Sequence, residues 1–305
     1  MVYTTLTDRI GNNLFQIATG ASLAHRNGSE YTVYISDFKV PEGISLEKYI
    51  DQFRNNILRK VKFTTEYPID SIEYIQPCFE YKEIQYYPNI RLSGYFQSEK
   101  FFDKDFVYDL FEIDIQTKKY IEDKYGYLFE SPIISINVRR GDYLLRPLRQ
   151  PICEMPYFNR AIRYFGKNQR YLLISDDIEW CKRKFKGKNF FFLENEQPII
   201  DLYIQTYCTH NIISNSTFSW WGAWLNRNPN KIVIAPKKWF GIQMKDYNTM
   251  DLIPENWIRI NNPRTLSLKI KITIKWTLHL FVRIYWRIRN IYWLIKYKVG
   301  LPSPK

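Results

Sequence analysis

The sequence predicts an α/β protein with parallel sheets, and three observations lead to that fold class. Short apolar runs alternate with segments of helical spacing through the second half of the chain. Hydrophobic residues make up 45% of the chain and aromatic residues 17%, which excludes disordered and fibrous classes. A length of 305 residues also leaves room for two domains of about 150 residues each.

The second half carries the clearer pattern. We predict strands at five apolar runs, residues 133–138, 171–174, 190–193, 212–213 with their neighbours, and 232–235. We predict helices between them at residues 155–164, 177–185, 198–208 and 217–225. Strands that alternate with helices form right-handed βαβ units, so we expect a Rossmann-like domain over residues 131–260.

The first half is less regular but is also typical of an α/β unit. We predict a strand at residues 2–5, a glycine-containing loop at 8–13, a helix at 14–25 and a strand at 31–35. The helix has its apolar residues on one face. We place an N-terminal α/β domain at residues 1–130, with the boundary near 129–132, and a separate tail at 261–305.

Charge is concentrated in that tail. The chain has 44 basic and 31 acidic residues, a formal charge of +13. Ten of the basic residues and none of the acidic ones lie in 261–305, so residues 1–260 carry only +3. A nucleic-acid-binding protein would spread its basic charge over the folded domain, and we expect no nucleic-acid partner.

Cysteine usage and the N-terminus favour a cytoplasmic protein. The four cysteines, Cys78, Cys153, Cys181 and Cys208, form no CxxC pair, so neither a zinc site nor a disulfide framework is indicated. Residues 1–13 lack the basic and apolar regions of a signal peptide. The sequence contains no run of about 20 apolar residues, so no transmembrane helix is predicted.

Polar residues follow the predicted strands of the second half. Arg139 and Arg140 come directly after the first strand, and residues 214–219 follow the fourth. Ligands of open parallel sheets bind beyond the carboxyl ends of the strands. The two guanidinium groups suit a pyrophosphate; alternatively, one of them forms a salt bridge with Asp142.

The segment Ser214–Ser219, which we name the serine turn, runs from a strand into a helix. A helix start offers unpaired N–H groups to an anion, and the alternative is an ordinary N-cap. Asp176 and Asp177 either accept hydrogen bonds from a nucleoside or cap the helix that follows. Asp103 and Asp105 have the spacing of a metal motif, but a solvated turn is favoured.

Four segments of the chain resemble glycosyltransferase family 11, the bacterial α-1,2-fucosyltransferases in particular. They are INVRRGDY at residues 136–143, DRIGNNLFQIATG at 8–20, GYFQSEKFF at 94–102 and HNIISNSTFSWWGAWLN at 210–226. The resemblance implies a GT-B-like fold, with two Rossmann-type domains facing a cleft. It also implies inverting transfer of L-fucose from GDP-fucose, with neither metal nor cofactor.

The resemblance assigns roles to individual residues. Arg139 and Arg140 are expected to hold the diphosphate, and Gly11 and Asn12 to approach the sugar from the other domain. The remaining donor-binding residues are expected to be Asn137, Asp176, Asn215, Ser216, Thr217 and Ser219. The expected catalytic residues are Arg139, Arg140, Asp142 and Asn12.

One position departs from the family pattern. Asn137 stands where the family usually has histidine, and an amide cannot titrate near neutral pH. The general base stays open: Asp142 is one candidate, although loop geometry is the role favoured for it. An oxocarbenium-like transition state would weaken the need for a base.

The tail predicts attachment to a membrane surface. Residues 266–274 alternate as a strand does, and a basic amphipathic helix is expected after residue 274. Such a helix suits an anionic bilayer; the alternative is a helix packed on the body. We therefore expect a cytoplasmic enzyme, peripheral to the inner membrane.

We expect this enzyme to fucosylate the 2-hydroxyl of a terminal galactoside, on an oligosaccharide or lipid-linked glycan of the bacterial surface. Two alternatives remain. One is a fucosyltransferase of another linkage or acceptor, and the other is a non-catalytic, membrane-peripheral protein that binds nucleotide sugars.

Overall fold

The computed structural model describes residues 1–263, 284–287 and 289. Met1–Asn262 form one compact unit and Pro263–Lys305 a second. The first unit contains two sheets in which every strand pair is parallel. The predicted α/β class is therefore confirmed, and so are the two Rossmann-type halves expected of a GT-B-like protein.

The first sheet has five strands in the spatial order β3-β2-β1-β5-β4. They are β1 Val2–Thr5, β2 Tyr31–Tyr34, β3 Phe63–Thr64, β4 Ile72–Ile75 and β5 Ile90–Ser93. The helices of this half are α1 Ile10–Arg26, α2 Leu46–Arg54, α3 Lys104–Leu110 and α4 Ile115–Phe129. The last of these leads directly into the second sheet.

The second sheet has six strands. They are β6 Ile133–Val138, β7 Arg170–Ser175, β8 Phe190–Phe192, β9 His210–Ile212, β10 Val233–Pro236 and β11 Ile258–Ile260. The helices are α5 Met155–Phe165, α6 Ile178–Lys184, α7 Pro198–Tyr203 and α8 Thr217–Trp224. The order β8-β7-β6-β9-β10-β11 is that of dinucleotide-binding domains, with the order reversing between β6 and β9.

The predicted elements of the second half are confirmed, most of them with small differences at their ends, and one helix is shorter than predicted. All six residues of β6 are buried, as its unbroken apolar run indicates. The helix predicted over 198–208 ends at Tyr203 and continues as a 3₁₀ turn at Ile204–Tyr207.

The loop predicted at residues 8–13 is wrong in its second part, because α1 already begins at Ile10. Glycine and asparagine are weak helix formers, so their sequence predicts a loop. Burial overrides that preference here. The side-chain amide of Asn13 donates to the carbonyl of Thr7 over 2.8 Å, which fixes the first turn of the helix.

Helices α1 and α8 join the two sheets through aromatic side chains. The ring of Phe15 lies 4.5 Å from that of Trp220 and 4.9 Å from that of Trp221, between centroids. Both tryptophans are fully buried. One apolar core thus extends across both halves, and the domain boundary at residue 130 stays a prediction.

The tail lies mostly outside the described residues, and with it the strand predicted at 266–274. Residues 284–287 and 289 are helical and exposed, but they are too few to test the amphipathic helix. Among the described residues, no helix is long and apolar enough to cross a membrane. All four cysteines are unpaired.

Candidate active site

The candidate site lies where the second sheet reverses its strand order. Strands β6 and β9 are neighbours, and their following connections lead to opposite sides of the sheet. Such a topological switch point opens a crevice at the carboxyl ends of the strands. Residues 139–142, which we name the arginine loop, and the serine turn flank this crevice.

Arg139 is held by two carboxylates. Its Nη2 lies 2.6 Å from Oδ1 of Asp142, and its Nη1 lies 3.0 Å from Oδ2 of Asp176. The predicted alternative, a salt bridge between one arginine and Asp142, is therefore confirmed. This pairing does not exclude a phosphate partner, since partly exposed ion pairs are weak and exchange readily.

Arg140 is more constrained. Its Nε lies 3.0 Å from Oδ2 of Asp177, and its guanidinium stacks 4.0 Å from the ring centroid of Trp180. Its backbone N–H donates to Asp176 over 2.8 Å. Asp177 also accepts the N–H of Trp180 as the cap of α6, so the capping interpretation is confirmed for Asp177.

Asp142 links the two halves of the compact unit. Its second oxygen accepts from Nη1 of Arg9 over 3.1 Å, and Arg9 also pairs with Glu42. Burial alone would raise the pKa of Asp142, but the charges and hydrogen bonds of Arg139 and Arg9 outweigh it and lower that pKa. Asp142 is thus an ionised anchor of the loop and a weak proton acceptor.

The arginine loop and its neighbours nearly balance in charge. Three guanidinium groups face four carboxylates. The guanidinium groups are those of Arg9, Arg139 and Arg140, and the carboxylates are those of Glu42, Asp142, Asp176 and Asp177. A diphosphate at this position would therefore exchange with aspartates that already bind the arginines. The sequence gives no signal for Arg9 in this cluster, because its partner Asp142 is 133 positions away.

The side chains of the serine turn are mostly committed to the protein. Asn215 is 1% exposed, donates to the carbonyl of Trp239 over 2.8 Å and accepts from the thiol of Cys153. The hydroxyl of Ser219 donates to the carbonyls of Ser214 and Ser216. These contacts stabilise the turn, and donor binding by Asn215, Ser216 and Ser219 stays a prediction.

Gly11 lies against the start of α8. A Cβ atom at this position would stand 2.5 Å from Oγ1 of Thr217 and 2.6 Å from the backbone nitrogen of Phe218. The Gly11 carbonyl accepts the indole N–H of Trp221 over 3.1 Å. Only glycine allows this approach, so the contact made by Gly11 in this structure is with the helix.

Asn137 is buried beside the switch point, 6% exposed. Its Oδ1 accepts the hydroxyl of Ser214 over 3.5 Å, a long contact that joins β6 to the serine turn. The amide that replaces the family's usual histidine thus has a neutral partner. A nucleoside contact at Asn137 stays a prediction.

Asn12 lies in the first turn of α1, and two hydrogen bonds fix the orientation of its side-chain amide. Its Oδ1 accepts from Nε2 of Gln97 over 2.9 Å, and its Nδ2 donates to Oδ2 of Asp8 over 3.3 Å. Sequence reasoning did not single out Asp8 or Gln97. The sequence signal for Asp8 is its place shortly after a predicted strand and three positions before Gly11 of the GNN sequence.

Asp103, one of the two aspartates with the spacing of a metal motif, forms its contacts with basic residues of α1. Asp103 pairs with Arg26 over 2.9 Å and lies 3.8 Å from His25. Within residues 1–263 and the few described beyond them, no three His, Cys, Asp or Glu side chains cluster as a metal site would require. Metal-independent catalysis stays a prediction.

Several known proteins are similar to this chain. The sequence profile of glycosyl transferase family 11 matches residues 1–261. The O-antigen biosynthesis glycosyltransferase WbnK of Escherichia coli is 28% identical over 266 residues, covering 81% of this chain and 83% of that protein. The alpha-1,2-colitosyltransferase of Escherichia coli is 27% identical over 295 residues, covering 85% and 99%.

A shorter stretch matches a mammalian protein. The galactoside 2-alpha-L-fucosyltransferase SEC1 of Bos taurus is 28% identical over 106 residues, which cover 31% of this chain and 29% of that protein.

Proposed function

The chain belongs to glycosyl transferase family 11, and on that premise we propose that it transfers L-fucose from GDP-fucose to the 2-hydroxyl of a terminal galactoside, with inversion. The observation that carries this proposal is the pair of arginines at the topological switch point. Guanidinium groups and helix N–H groups are what a transferase without a metal needs to stabilise a departing diphosphate.

The arginine loop supplies the positive charge of the reaction. When the bond from the sugar to the diphosphate breaks, negative charge accumulates on the phosphate oxygens. When the donor binds, Arg139 exchanges Asp176 for phosphate and keeps Asp142, and Arg140 exchanges Asp177, so that both can bind the charge that develops. Because the arginines are already held in place by carboxylates and by Trp180, little reorganisation is needed in the transition state.

The experiment is a transfer assay with the full-length protein. It is incubated with GDP-fucose and a soluble β-galactoside, and the linkage of the product is determined by NMR. We expect an α-1,2-fucosylated galactoside. A product of another linkage would be consistent with membership of the family but would show that a different hydroxyl of the acceptor is modified. GDP binding without turnover would favour the non-catalytic alternative.

A second candidate donor is supported by one of the comparisons. One relative, 99% of whose own length is matched by this chain, is named an alpha-1,2-colitosyltransferase. We therefore include GDP-colitose beside GDP-fucose in the assay. The donor with the higher kcat/KM identifies the sugar, since discrimination between substrates is the ratio of these constants.

We further propose that the acceptor belongs to a bacterial surface glycan and that the basic tail holds the enzyme on an anionic membrane. The O-antigen role in the name of one relative supports the first part, and the ten basic residues after position 260 support the second. In vesicle sedimentation, the full chain should bind anionic lipid and a chain ending at residue 263 should not.

A further inference from the structure

Asp8 differs from the other carboxylates of the site. Asp142, Asp176 and Asp177 each pair with an arginine, and within the described part of the chain Asp8 makes no salt bridge. Asp8 lies three residues beyond the carboxyl end of β1, next to Arg9, which contacts the arginine loop. It is therefore on the first half's side of the same site.

The backbone of Asp8 is held in an unfavourable conformation. Its φ is +64°, in the left-handed region that disfavours residues with a Cβ atom. Partly buried hydrogen bonds hold the preceding residue: Thr7 accepts from Asn13 at its carbonyl and donates its N–H to Oε1 of Gln16. Such strain persists where surrounding contacts enforce it, and it is concentrated at functional sites.

The neighbours of Asp8 orient its carboxylate without neutralising it. Asn12 donates to one oxygen, and the Asn12 amide is itself fixed by Gln97. The hydroxyl of Tyr95 lies beside the carboxylate, and burial together with the negative charge of Asp8 raises the pKa of Tyr95 to about 12. Tyr95 thus stays a neutral donor, and a carboxylate with about four acceptor sites retains room for another hydroxyl.

We propose that Asp8 is the general base of the transfer reaction, an inference that rests on the proposed function. The acceptor oxygen forms a bond to the anomeric carbon, and the bond from that carbon to the diphosphate oxygen breaks. The electron pair leaves on the diphosphate, where Arg139 and Arg140 bind it. The proton of the acceptor hydroxyl moves to the carboxylate of Asp8.

Asp8 suits this role better than Asp142. Two guanidinium groups bind Asp142 on both oxygens, so a proton arriving there would displace a salt bridge. The partners of Asp8 are neutral, and protonation costs it no ion pair.

The test compares Asp8→Asn and Asp8→Gly with the matched control Asp51→Asn, a carboxylate on the exposed side of α2 whose salt bridge within the described residues is with Arg54. At saturating donor, both Asp8 variants should lose about 10²–10⁴-fold in kcat, with the affinity for GDP unchanged. Asp8→Gly should keep or raise Tm, since glycine adopts a positive φ without steric cost. The control should retain wild-type kcat.

Two further readouts separate a base from a positioning residue. Formate should partly restore turnover to Asp8→Gly, because a free carboxylate can accept the proton. The decline of wild-type kcat at acid pH should be absent from Asp8→Asn. A role limited to holding Asn12 predicts instead that Asp8→Asn is active, since its amide oxygen can accept the same hydrogen bond, and that result would overturn the inference.

The wild-type protein separates this inference from the proposed function. If wild type neither binds GDP nor transfers sugar, the proposed function fails. If wild type transfers sugar and Asp8→Asn does so within about threefold of it, only the assignment of Asp8 fails.

Discussion

The arginine loop and the serine turn flank the same switch point, but they hold their polar groups in different ways. The loop holds charged, partly exposed side chains whose partners are other charged side chains. In the turn, Asn215 and Ser219 are buried and bonded to backbone carbonyls. A ligand can replace a carboxylate at the loop, whereas at the turn it would have to break contacts that maintain the fold.

This difference separates residues available to bind a ligand from residues that stabilise the fold around it. The sequence places both segments after strands of one sheet and predicts donor contacts for both. We propose a division that departs from this expectation for the turn: the loop binds the diphosphate through side chains, and the turn positions the start of α8. Mutations in the two segments should therefore affect different measurements.

The largest effect is expected at the arginine loop. Arg139→Ala and Arg140→Ala should each lower kcat/KM about a hundredfold, because the lost charge stabilisation is worth about 3 kcal/mol. Arg→Lys should rescue poorly, since an ammonium lacks the bidentate fork. Steady-state kinetics with GDP-fucose check this, and wild-type constants in both alanine variants would contradict it.

A mutation in the serine turn should lower the stability of the protein. Asn215→Ala leaves a buried carbonyl of Trp239 without its donor, which should cost about 1–3 kcal/mol, or a Tm lower by several degrees at about 2–4 °C per kcal/mol. Turnover per folded molecule should stay within about threefold of wild type. A calorimetric melt together with kinetics below the transition measures both, and a hundredfold loss of kcat at unchanged Tm would make Asn215 a ligand.

A smaller effect should appear in the pH dependence of stability. The pKa of Asp142 is lowered in the folded state, mainly by Arg139 and Arg9 acting against burial. The stabilisation is thus present above the unfolded-state pKa and is lost as pH falls through the folded-state pKa. Since the pair is partly exposed, Asp142→Asn should destabilise by under about 1 kcal/mol at pH 7.

Melts at neutral and acid pH check this expectation. The difference between wild type and Asp142→Asn should shrink as the pH falls below about 4, the ordinary pKa of an aspartate. A difference that does not change with pH would mean that the charge of Asp142 does not anchor the loop.

No effect is expected from metal removal. If guanidinium groups replace a metal, transfer should be unchanged after treatment with EDTA. A loss that Mg²⁺ or Mn²⁺ restores would make Asp103 and Asp105, or the pair Asp176 and Asp177, candidate ligands.

The sequence predicted much of the fold because burial leaves a periodic signal. The apolar run at residues 133–138 predicted β6 with its observed ends. The first turn of α1 was missed because glycine and asparagine are weak helix formers, whereas Gly11 here contacts Trp221, 210 positions away, and Asn13 binds the carbonyl of Thr7.

The site was predictable in its motifs and in its local pairings, but not in the pairings that join the two halves. Arg139 and Arg140 are identified by their place after a buried strand and by the family resemblance. The link from Arg9 to Asp142 joins residues from opposite halves, and no local pattern encodes it. The same holds for Asp8, whose left-handed backbone becomes evident only in three dimensions.

The affinity for GDP measured by titration calorimetry tests the central claim most directly, with Asn215→Ala as the control for Arg139→Ala and Arg140→Ala. We predict that each arginine variant binds GDP at least tenfold more weakly, a change of about 1.4 kcal/mol, while Asn215→Ala binds as wild type does. Equal GDP affinity in wild type and both arginine variants would contradict the assignment of the diphosphate to the arginine loop.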